Sequence, residues 1–118
     1  MRIGQLAERS GASRRSLRYY EEHGLISAHR TAAGWREYDE ATVQRVRNIT
    51  SLLGRGLTIE GVKELEPCLR LRDLDDCDHP GDAITTYADR LAVIEGRLAE
   101  LQTTRSRLTE TLQTLRDG

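Results

Sequence analysis

The sequence predicts a mainly helical fold in two parts, a small head of short helices with a β-hairpin and then one long helix. Short helical segments separated by glycine turns fill the first part, and a heptad repeat with one exception fills the last third. The chain has 118 residues, 37% hydrophobic and 31% charged, which suits one ordinary domain with a thin core. We expect the head at residues 1–66, a linker at 67–81 and the long helix at 82–117.

Charge is divided between the two halves of the chain. Residues 1–57 carry ten arginines and six acidic side chains, a net charge of +4, whereas residues 58–118 carry eight basic and thirteen acidic side chains, a net charge of −5. Four of the five aromatic side chains also lie in the basic half. This division indicates that the head contacts a polyanion and that the rest of the chain does not.

Spacing and turn residues predict the first two helices. Apolar residues at helical spacing favour a helix over residues 3–9, and the Ser-Gly-Ala-Ser turn at residues 10–13 interrupts it. Ser13 can cap a second helix over residues 14–22, and Gly24 suits a left-handed end. We expect Leu17 to fill the core between the two helices. Two short helices joined by a tight glycine turn indicate a DNA-binding helix-turn-helix.

A β-hairpin is predicted next, over residues 28–38. In its second half, Trp35 and Glu37 alternate with Arg36 and Tyr38, as side chains on the two faces of a strand do. Gly34 supplies the dihedral angles that a short connection needs. A hairpin at this place is a wing, and Arg30, Arg36 and Tyr38 would be positioned to hold DNA phosphates. A two-stranded lid with a solvated face is the alternative.

Two further helices are predicted to have structural roles. Asp39 can cap the first of them, which ends at Gly54, and Thr58 can cap a short one that Pro67 ends.

The last third of the chain has the clearest periodicity. Its apolar residues recur at alternating intervals of three and four, an a/d heptad pattern that only Arg105 interrupts: Ile84, Tyr87, Leu91, Ile94, Leu98, Leu101, Leu108, Leu112 and Leu115. Such a helix is roughly 50 Å long, more than the head can cover. We expect it to pair with a second copy, because twofold dimers are the commonest oligomers. Packing back on its own chain is the alternative.

Arg105 has two interpretations within the line of a and d residues, which we call the seam. It can fix the register by pairing with an acid on the opposing helix. Alternatively, its stem packs in the seam while the guanidinium reaches solvent.

Cys68 and Cys77 lie in the linker, with acidic residues between them and His79 just after. Thiolates, imidazole and carboxylates are ligands for Zn²⁺ or Cu(I), but the eight intervening residues exceed the roughly two to four of compact zinc motifs. Three interpretations stay open: buried structural cysteines, a thiol or disulfide switch, or a metal site. The cofactor is therefore unknown, with a metal ion at Cys68 and Cys77 and no metal at all equally favoured.

Several segments carry a resemblance to a known family. They are Leu-Arg-Tyr-Tyr-Glu at residues 17–21, Gly-Trp-Arg-Glu-Tyr at residues 34–38 and the helical segment at residues 54–65. In this order they resemble the DNA-binding region of MerR-family transcription regulators, and the heptads fall where that family has its dimerisation helix. The resemblance covers nearly the whole chain.

The resemblance implies a winged helix-turn-helix DNA-binding domain followed by a long dimerisation helix that forms an antiparallel coiled coil. It also implies a homodimer that binds a palindromic promoter element. This element lies in an overlong spacer between the two promoter hexamers that RNA polymerase contacts. In many family members the effector-bound form bends and untwists the DNA, so that RNA polymerase can engage both hexamers. This is indirect readout of DNA shape. An architectural or chromosome-anchoring DNA protein without an effector is the alternative function.

By matching positions, the second helix would offer Arg14, Arg15, Arg18 and Tyr19 to DNA. The N-terminal residues of a recognition helix reach base edges, which favours Arg14 and Arg15 for that role and leaves Arg18 and Tyr19 for phosphates. A solvated arginine face is the alternative for each arginine.

The resemblance does not decide the signal. Metal-sensing members carry a cysteine pair in a loop after the dimerisation helix, so neither cysteine of this chain carries over from that loop. An upstream cysteine near the place of Cys68 contributes in some members, which keeps metal sensing open. We expect no large effector domain after the coiled coil.

Other classes of protein are disfavoured. The sequence has no Cys-x-x-Cys pair and no glycine-rich phosphate loop, and its three histidines are far apart, so we expect no enzyme. No run approaches the roughly 18 apolar residues of a membrane span, and the first 30 residues lack an apolar signal core. We therefore expect a cytoplasmic protein with no membrane partner.

Overall fold

Five α-helices, one β-hairpin and two 3-10 helices make up the part of the chain that the computed structural model describes, residues 1–78 and 83–118. They follow in the order α1 (Ile3–Ser10), α2 (Arg14–Glu22), β1 (His29–Arg30), β2 (Arg36–Glu37), α3 (Glu40–Gly54), α4 (Ile59–Glu64), the 3-10 helices Glu66–Arg70 and Leu74–Asp76, and α5 (Ala83–Asp117). This confirms the predicted winged helix-turn-helix followed by a long helix. No described helix is long and apolar enough to span a membrane.

The turn residues of the helix-turn-helix behave as predicted. Gly11 follows α1 with φ 80° and Gly24 follows α2 with φ 72°, both in the left-handed region that favours glycine. The hydroxyl of Ser13 accepts a hydrogen bond from the N–H of Ser16 at 3.0 Å and so caps α2. Leu17 is fully buried between the helices of the head.

The start of α3 differs from the prediction. Asp39 makes no capping hydrogen bond, because its carboxylate lies on the wing side, with Oδ1 3.5 Å from Nδ1 of His29. Thr58, by contrast, caps α4 as predicted and accepts from the N–H of Gly61 at 3.2 Å.

The core of the head extends from α1 to the first 3-10 helix. Its fully buried side chains are Leu6, Leu17, Val46, Ile49, Leu52, Val62, Leu65, Cys68 and Leu69. The last two belong to the segment that the sequence analysis assigns to the linker. The head thus packs residues from beyond position 66 into its own core.

Asn48 fastens this segment to α3. Its side chain is buried, and Nδ2 donates hydrogen bonds to the carbonyl oxygens of Leu69 at 3.1 Å and Leu71 at 2.7 Å. Its Oδ1 accepts a hydrogen bond from Nε2 of Gln44 at 3.0 Å. One buried amide therefore holds the backbone that leaves the first 3-10 helix.

The first turns of α5 pack against α4 and the turn before it. Ala83 and Thr86 are buried there, and the Thr86 hydroxyl donates a hydrogen bond to Glu64. Nε of Arg90 donates to the carbonyl oxygen of Gly56 at 2.6 Å. A Cβ at Gly61 would lie 3.3 Å from Cγ2 of Thr86, so this close approach depends on glycine.

The rest of α5 projects from the head and gives the molecule a length of 74 Å. All side chains from residue 95 onward are exposed, including every seam residue beyond Ile94. The seam leucines are between 48% and 73% exposed in the single chain. Nothing in the described residues therefore corresponds to the alternative in which the helix packs back on its own chain.

Replacing Asn48 by Ala should lower the free energy of unfolding by about 2 kcal/mol, because the carbonyl groups of Leu69 and Leu71 lose a buried donor. Urea unfolding measures the change. The matched control is Gln44→Ala, which removes only the outer hydrogen bond and should cost under about 1 kcal/mol. Equal losses in the two variants would show that Asn48 does not fasten the segment.

Candidate nucleic-acid interface

Two clefts meet at Arg18 on one side of the head. The first has a volume of about 510 Å³ and runs along α2 beside Arg14, Arg15 and Tyr19. The second, of about 340 Å³, lies between α2 and the wing, where Gly34, Trp35 and Arg36 line it. We call this continuous surface the basic face, and define it by Arg2, Arg14, Arg15, Arg18, Tyr19, Arg30, Trp35 and Arg36.

The predicted α2 residues are exposed on the basic face. Arg14, Arg15, Arg18 and Tyr19 all have exposed side chains. Arg14 lies against α1, because a Cβ at Gly4 would be only 2.8 Å from its Nη2 atom. Guanidinium groups grouped in this way attract the phosphates of a nucleic acid and can reach its base edges.

The wing is short and braced at its tip. Arg30 pairs with Arg36 in the antiparallel register, and Gly34 turns the chain with φ 84°. Nη1 of Arg30 donates a hydrogen bond to the carbonyl oxygen of Gly34 at 3.0 Å. The Arg30 side chain therefore supports the loop while it remains exposed on the basic face.

Glu21 ties the wing to α2. Its Oε2 lies 2.5 Å from Nη2 of Arg36, and its Oε1 accepts a hydrogen bond from the Tyr38 hydroxyl at 2.8 Å. The Glu21 side chain is only 17% exposed, whereas that of Arg36 is 58% exposed. The carboxylate thus positions an exposed guanidinium from behind.

The prediction that Tyr38 holds a phosphate is wrong, because the residue lies in the core and is only 3% exposed. It follows β2 and faces α2, where Oε1 of Glu21 accepts its hydroxyl hydrogen. Burial, and then the hydrogen bond to Glu21, raise the pKa of Tyr38, so the hydroxyl remains a donor at neutral pH. Arg30 and Arg36 are the predicted wing residues that stay exposed.

Arg2 and Trp35 are residues of the basic face that the sequence analysis does not assign to DNA. The guanidinium carbon of Arg2 lies 4.0 Å from the Trp35 ring centroid, a cation–π contact, and Trp35 is 55% exposed. The backbone brings them together, since the N–H of Tyr38 donates to the carbonyl oxygen of Met1 at 2.6 Å. For Trp35 the sequence does contain a signal of nucleic-acid contact, since it is an aromatic residue among arginines. No sequence spacing connects Trp35 with Arg2.

The cysteines predicted as a sensor are joined in a disulfide, Cys68 to Cys77, with Cα atoms 5.4 Å apart. A metal ion would need both sulfurs as thiolates. Across residues 1–78 and 83–118, no three His, Cys, Asp or Glu side chains are grouped so that they could hold a metal. His79, the third predicted sensor residue, lies outside the described residues.

Known proteins are similar to this chain in sequence and in fold. The family model described as "MerR HTH family regulatory protein" matches residues 1–67. The chain is 35% identical over 103 residues to the HTH-type transcriptional regulator HmrR of Sinorhizobium medicae, an alignment that covers 86% of this chain and 67% of HmrR. It is 32% identical over 119 residues to the HTH-type transcriptional regulator ZntR of Escherichia coli, covering 99% and 79% of the two chains.

A solved structure is also similar over most of its length. The lead(II) complex of the transcription regulator PbrR691 from Ralstonia metallidurans has a TM-score of 0.73 and 26% identity, covering 93% of this chain and 83% of that chain.

Replacing Tyr38 by Phe should lower the free energy of unfolding by about 1 kcal/mol, because Glu21 loses a hydrogen-bond donor. Affinity for mixed-sequence duplex DNA should stay within about twofold. Arg36→Ala should instead weaken this binding and reduce its salt slope by about one unit. Fluorescence anisotropy over a range of salt concentrations compares the variants. A loss of affinity in Tyr38→Phe equal to that in Arg36→Ala would place Tyr38 back among the DNA contacts.

Proposed function

The chain belongs to the MerR family of helix-turn-helix regulatory proteins, and we propose that it binds a palindromic promoter element as a homodimer and alters the geometry of that DNA. One observation carries this proposal: a winged head with a basic face is joined to a long helix whose apolar stripe is exposed in the single chain. Membership of a family of transcription regulators also confirms the expectation that the chain is not an enzyme.

The stripe supports a dimer of two α5 helices. Exposed leucines at a and d positions over 35 helical residues are the pattern of a coiled coil, and water would otherwise contact them all. A twofold dimer presents two identical heads, which matches the symmetry of a palindromic site. The same dimer is the simplest cover for so long an apolar surface.

The location of the heads supports an antiparallel pair. Each head lies at the N-terminal end of α5, so an antiparallel pair of α5 helices has one head at each end. A groove of about 480 Å³ continues the stripe onto the head, between the turn at Gly54–Leu57 and the side chains of Leu91 and Ile94. The last turns of the partner's helix would reach this groove only in the antiparallel arrangement.

The basic face supports contact with both bases and phosphates. Arg14 and Arg15 begin α2, where a recognition helix meets base edges, and Arg18 and Tyr19 follow one turn later on the side of the phosphates. Arg30 and Arg36 add contacts from the wing. A grip from two elements can offset the energy of bending the DNA, with contacts that form only on the bent duplex.

The promoter supplies the other expected partner. A regulator that changes the geometry of promoter DNA acts by changing how RNA polymerase engages it, so polymerase shares the site. The protein would therefore work in the compartment of the chromosome, which is the cytoplasm of a bacterial cell.

A resident metal does not fit the described residues while Cys68 and Cys77 are joined. The solved relative PbrR691 holds lead(II), but the two cysteines of this chain bond to each other and the described part contains no group of metal-ligating side chains. We therefore derive no step of the regulation from a metal ion.

The division of labour within α2 is testable on a dyad-symmetric duplex selected from a random-sequence library. Arg18→Ala should weaken binding about equally on all sequences and flatten the salt slope by about one unit. Arg15→Ala should cost about 1–3 kcal/mol on the preferred sequence and relax base preference. Arg18→Lys, the matched control, keeps the charge and should keep the slope.

Equal loss of base preference in Arg15→Ala and Arg18→Ala would refute the assignment of bases to one and phosphates to the other. A selection that yields no dyad-symmetric sequence would refute the proposed function itself. Many dispersed genomic sites without a promoter dyad would indicate the architectural alternative.

The dimer is testable at one seam position. Leu101→Lys puts a charge into the apolar stripe and should convert the dimer to a monomer at micromolar concentration, as measured by sedimentation equilibrium. Thr103→Lys adds the same charge on the opposite face of α5 and should leave the dimer intact. A wild-type chain that is monomeric at this concentration would contradict the pairing.

A further inference from the structure

The disulfide between Cys68 and Cys77 has no part in the DNA contacts described above. Cys68 is fully buried in the first 3-10 helix, and Cys77 is partly buried directly after the second. The bond therefore fastens the end of the linker to the core of the head, a short distance along the chain from α5.

We propose that this disulfide is a reversible redox switch that sets how firmly α5 is joined to the head, and thereby the affinity of the dimer for its DNA. The inference rests on the proposed function for its effect on DNA. Its effect on the joint between α5 and the head can be measured without DNA.

The compartment of the chromosome gives the first reason. Thiols there are kept reduced, and the disulfides that do form are usually transient and redox-sensing. Nor does the head need a covalent bond to replace a missing core, because nine side chains are fully buried in it. A cysteine pair close enough to bond is thus better explained by reversible redox regulation than by permanent stabilisation of the fold.

The contacts beside the disulfide give the second reason. Asn48 holds the backbone as far as Leu71. Beyond that point Leu74 is buried, but Asp75 meets Arg55 at 3.5 Å with a side chain that is 84% exposed, an ion pair of little strength. Cys77 is therefore held by two contacts, the hydrogen bond from its N–H to the carbonyl oxygen of Leu74 at 3.1 Å and its bond to Cys68.

The length of chain between fixed points gives the third reason. With the disulfide formed, five residues separate Cys77 from Ala83, the first residue of α5. With it reduced, eight residues separate Leu74, the last core residue before Cys77, from Ala83. Loop-closure entropy makes the effective concentration of the first turn of α5 at the head about twofold lower with the longer tether.

The contacts that this tether supports lie within the first two turns of α5. They include the burial of Ala83 and Thr86 against the head, the hydrogen bond from Thr86 to Glu64 and the one from Arg90 to the carbonyl oxygen of Gly56. A looser joint lets each head move relative to the paired α5 helices. A dimer whose heads are not held at one separation loses conformational entropy when it binds DNA, and this loss weakens binding. The oxidised form is therefore the tighter DNA binder.

The switching reaction is a two-electron thiol–disulfide exchange with a small thiol or a dithiol protein. The incoming thiolate attacks Sγ of Cys77, the more accessible sulfur, and Cys68 leaves as a thiolate that takes up a proton. A second thiol of the reductant attacks the mixed disulfide, releases the Cys77 thiol and leaves the reductant as its own disulfide. Any disulfide of the same class reverses these steps.

The test uses the full chain, oxidised or reduced with dithiothreitol, and the dyad duplex identified by selection. Reduction should weaken binding by about twofold for each head, or about fourfold for the dimer. Hydrogen exchange of the backbone amides at residues 84–90 should become faster in the reduced protein. Cys77→Ser should match the reduced wild type in both measurements and should not respond to dithiothreitol.

Equal affinity and equal exchange rates in the oxidised and reduced wild type would overturn the inference while the proposed function stands. A response of Cys77→Ser to dithiothreitol equal to that of the wild type would overturn it as well. Absence of dyad preference in both forms would instead remove the proposed function, and the exchange rates alone would then decide whether the disulfide sets the joint.

Discussion

An apolar stripe on a helix that its own head cannot cover is the constraint on which the rest of this structure depends. The head covers only the first turns of α5, through Ala83, Thr86 and Arg90. Some 20 residues of exposed seam follow, and burying their leucines is favourable by roughly 25 cal/mol for each Å² removed from water. In the proposed dimer a second copy would satisfy that demand, and the twofold pair would in turn dictate what the heads can bind.

The basic face shows how a small head prepares its arginines before DNA arrives. Glu21 holds Arg36, the Trp35 ring holds Arg2, and Arg14 lies over Gly4. Each contact restricts a long side chain that would otherwise lose rotamer freedom on binding. Glu21 also lowers the net positive charge of the basic face. It therefore positions Arg36 but weakens the attraction of the face to phosphates.

The sequence was sufficient for those features that local chemistry decides. Ser13 and Thr58 cap their helices and Gly34 turns the wing because the interactions involved span only a few residues. The errors arose where a distant partner decides the outcome. Tyr38 is buried because Glu21, 17 positions earlier, accepts its hydroxyl hydrogen, and Arg2 joins the basic face because the wing folds back onto Met1. Spacing along the chain contains no information about either.

The joint between head and rod is where regulation can act at least cost. The seam of α5 and the core of the head are apolar and cooperative, so a signal would have to offset a large burial energy to change either one. The joint is small and rests partly on hydrogen bonds to Glu64 and Gly56, and the Cys68–Cys77 bond lies a short distance before it along the chain. In the proposed switch, a change of two electrons in this one bond would reach DNA because the same joint would set the separation of the two heads of the proposed dimer.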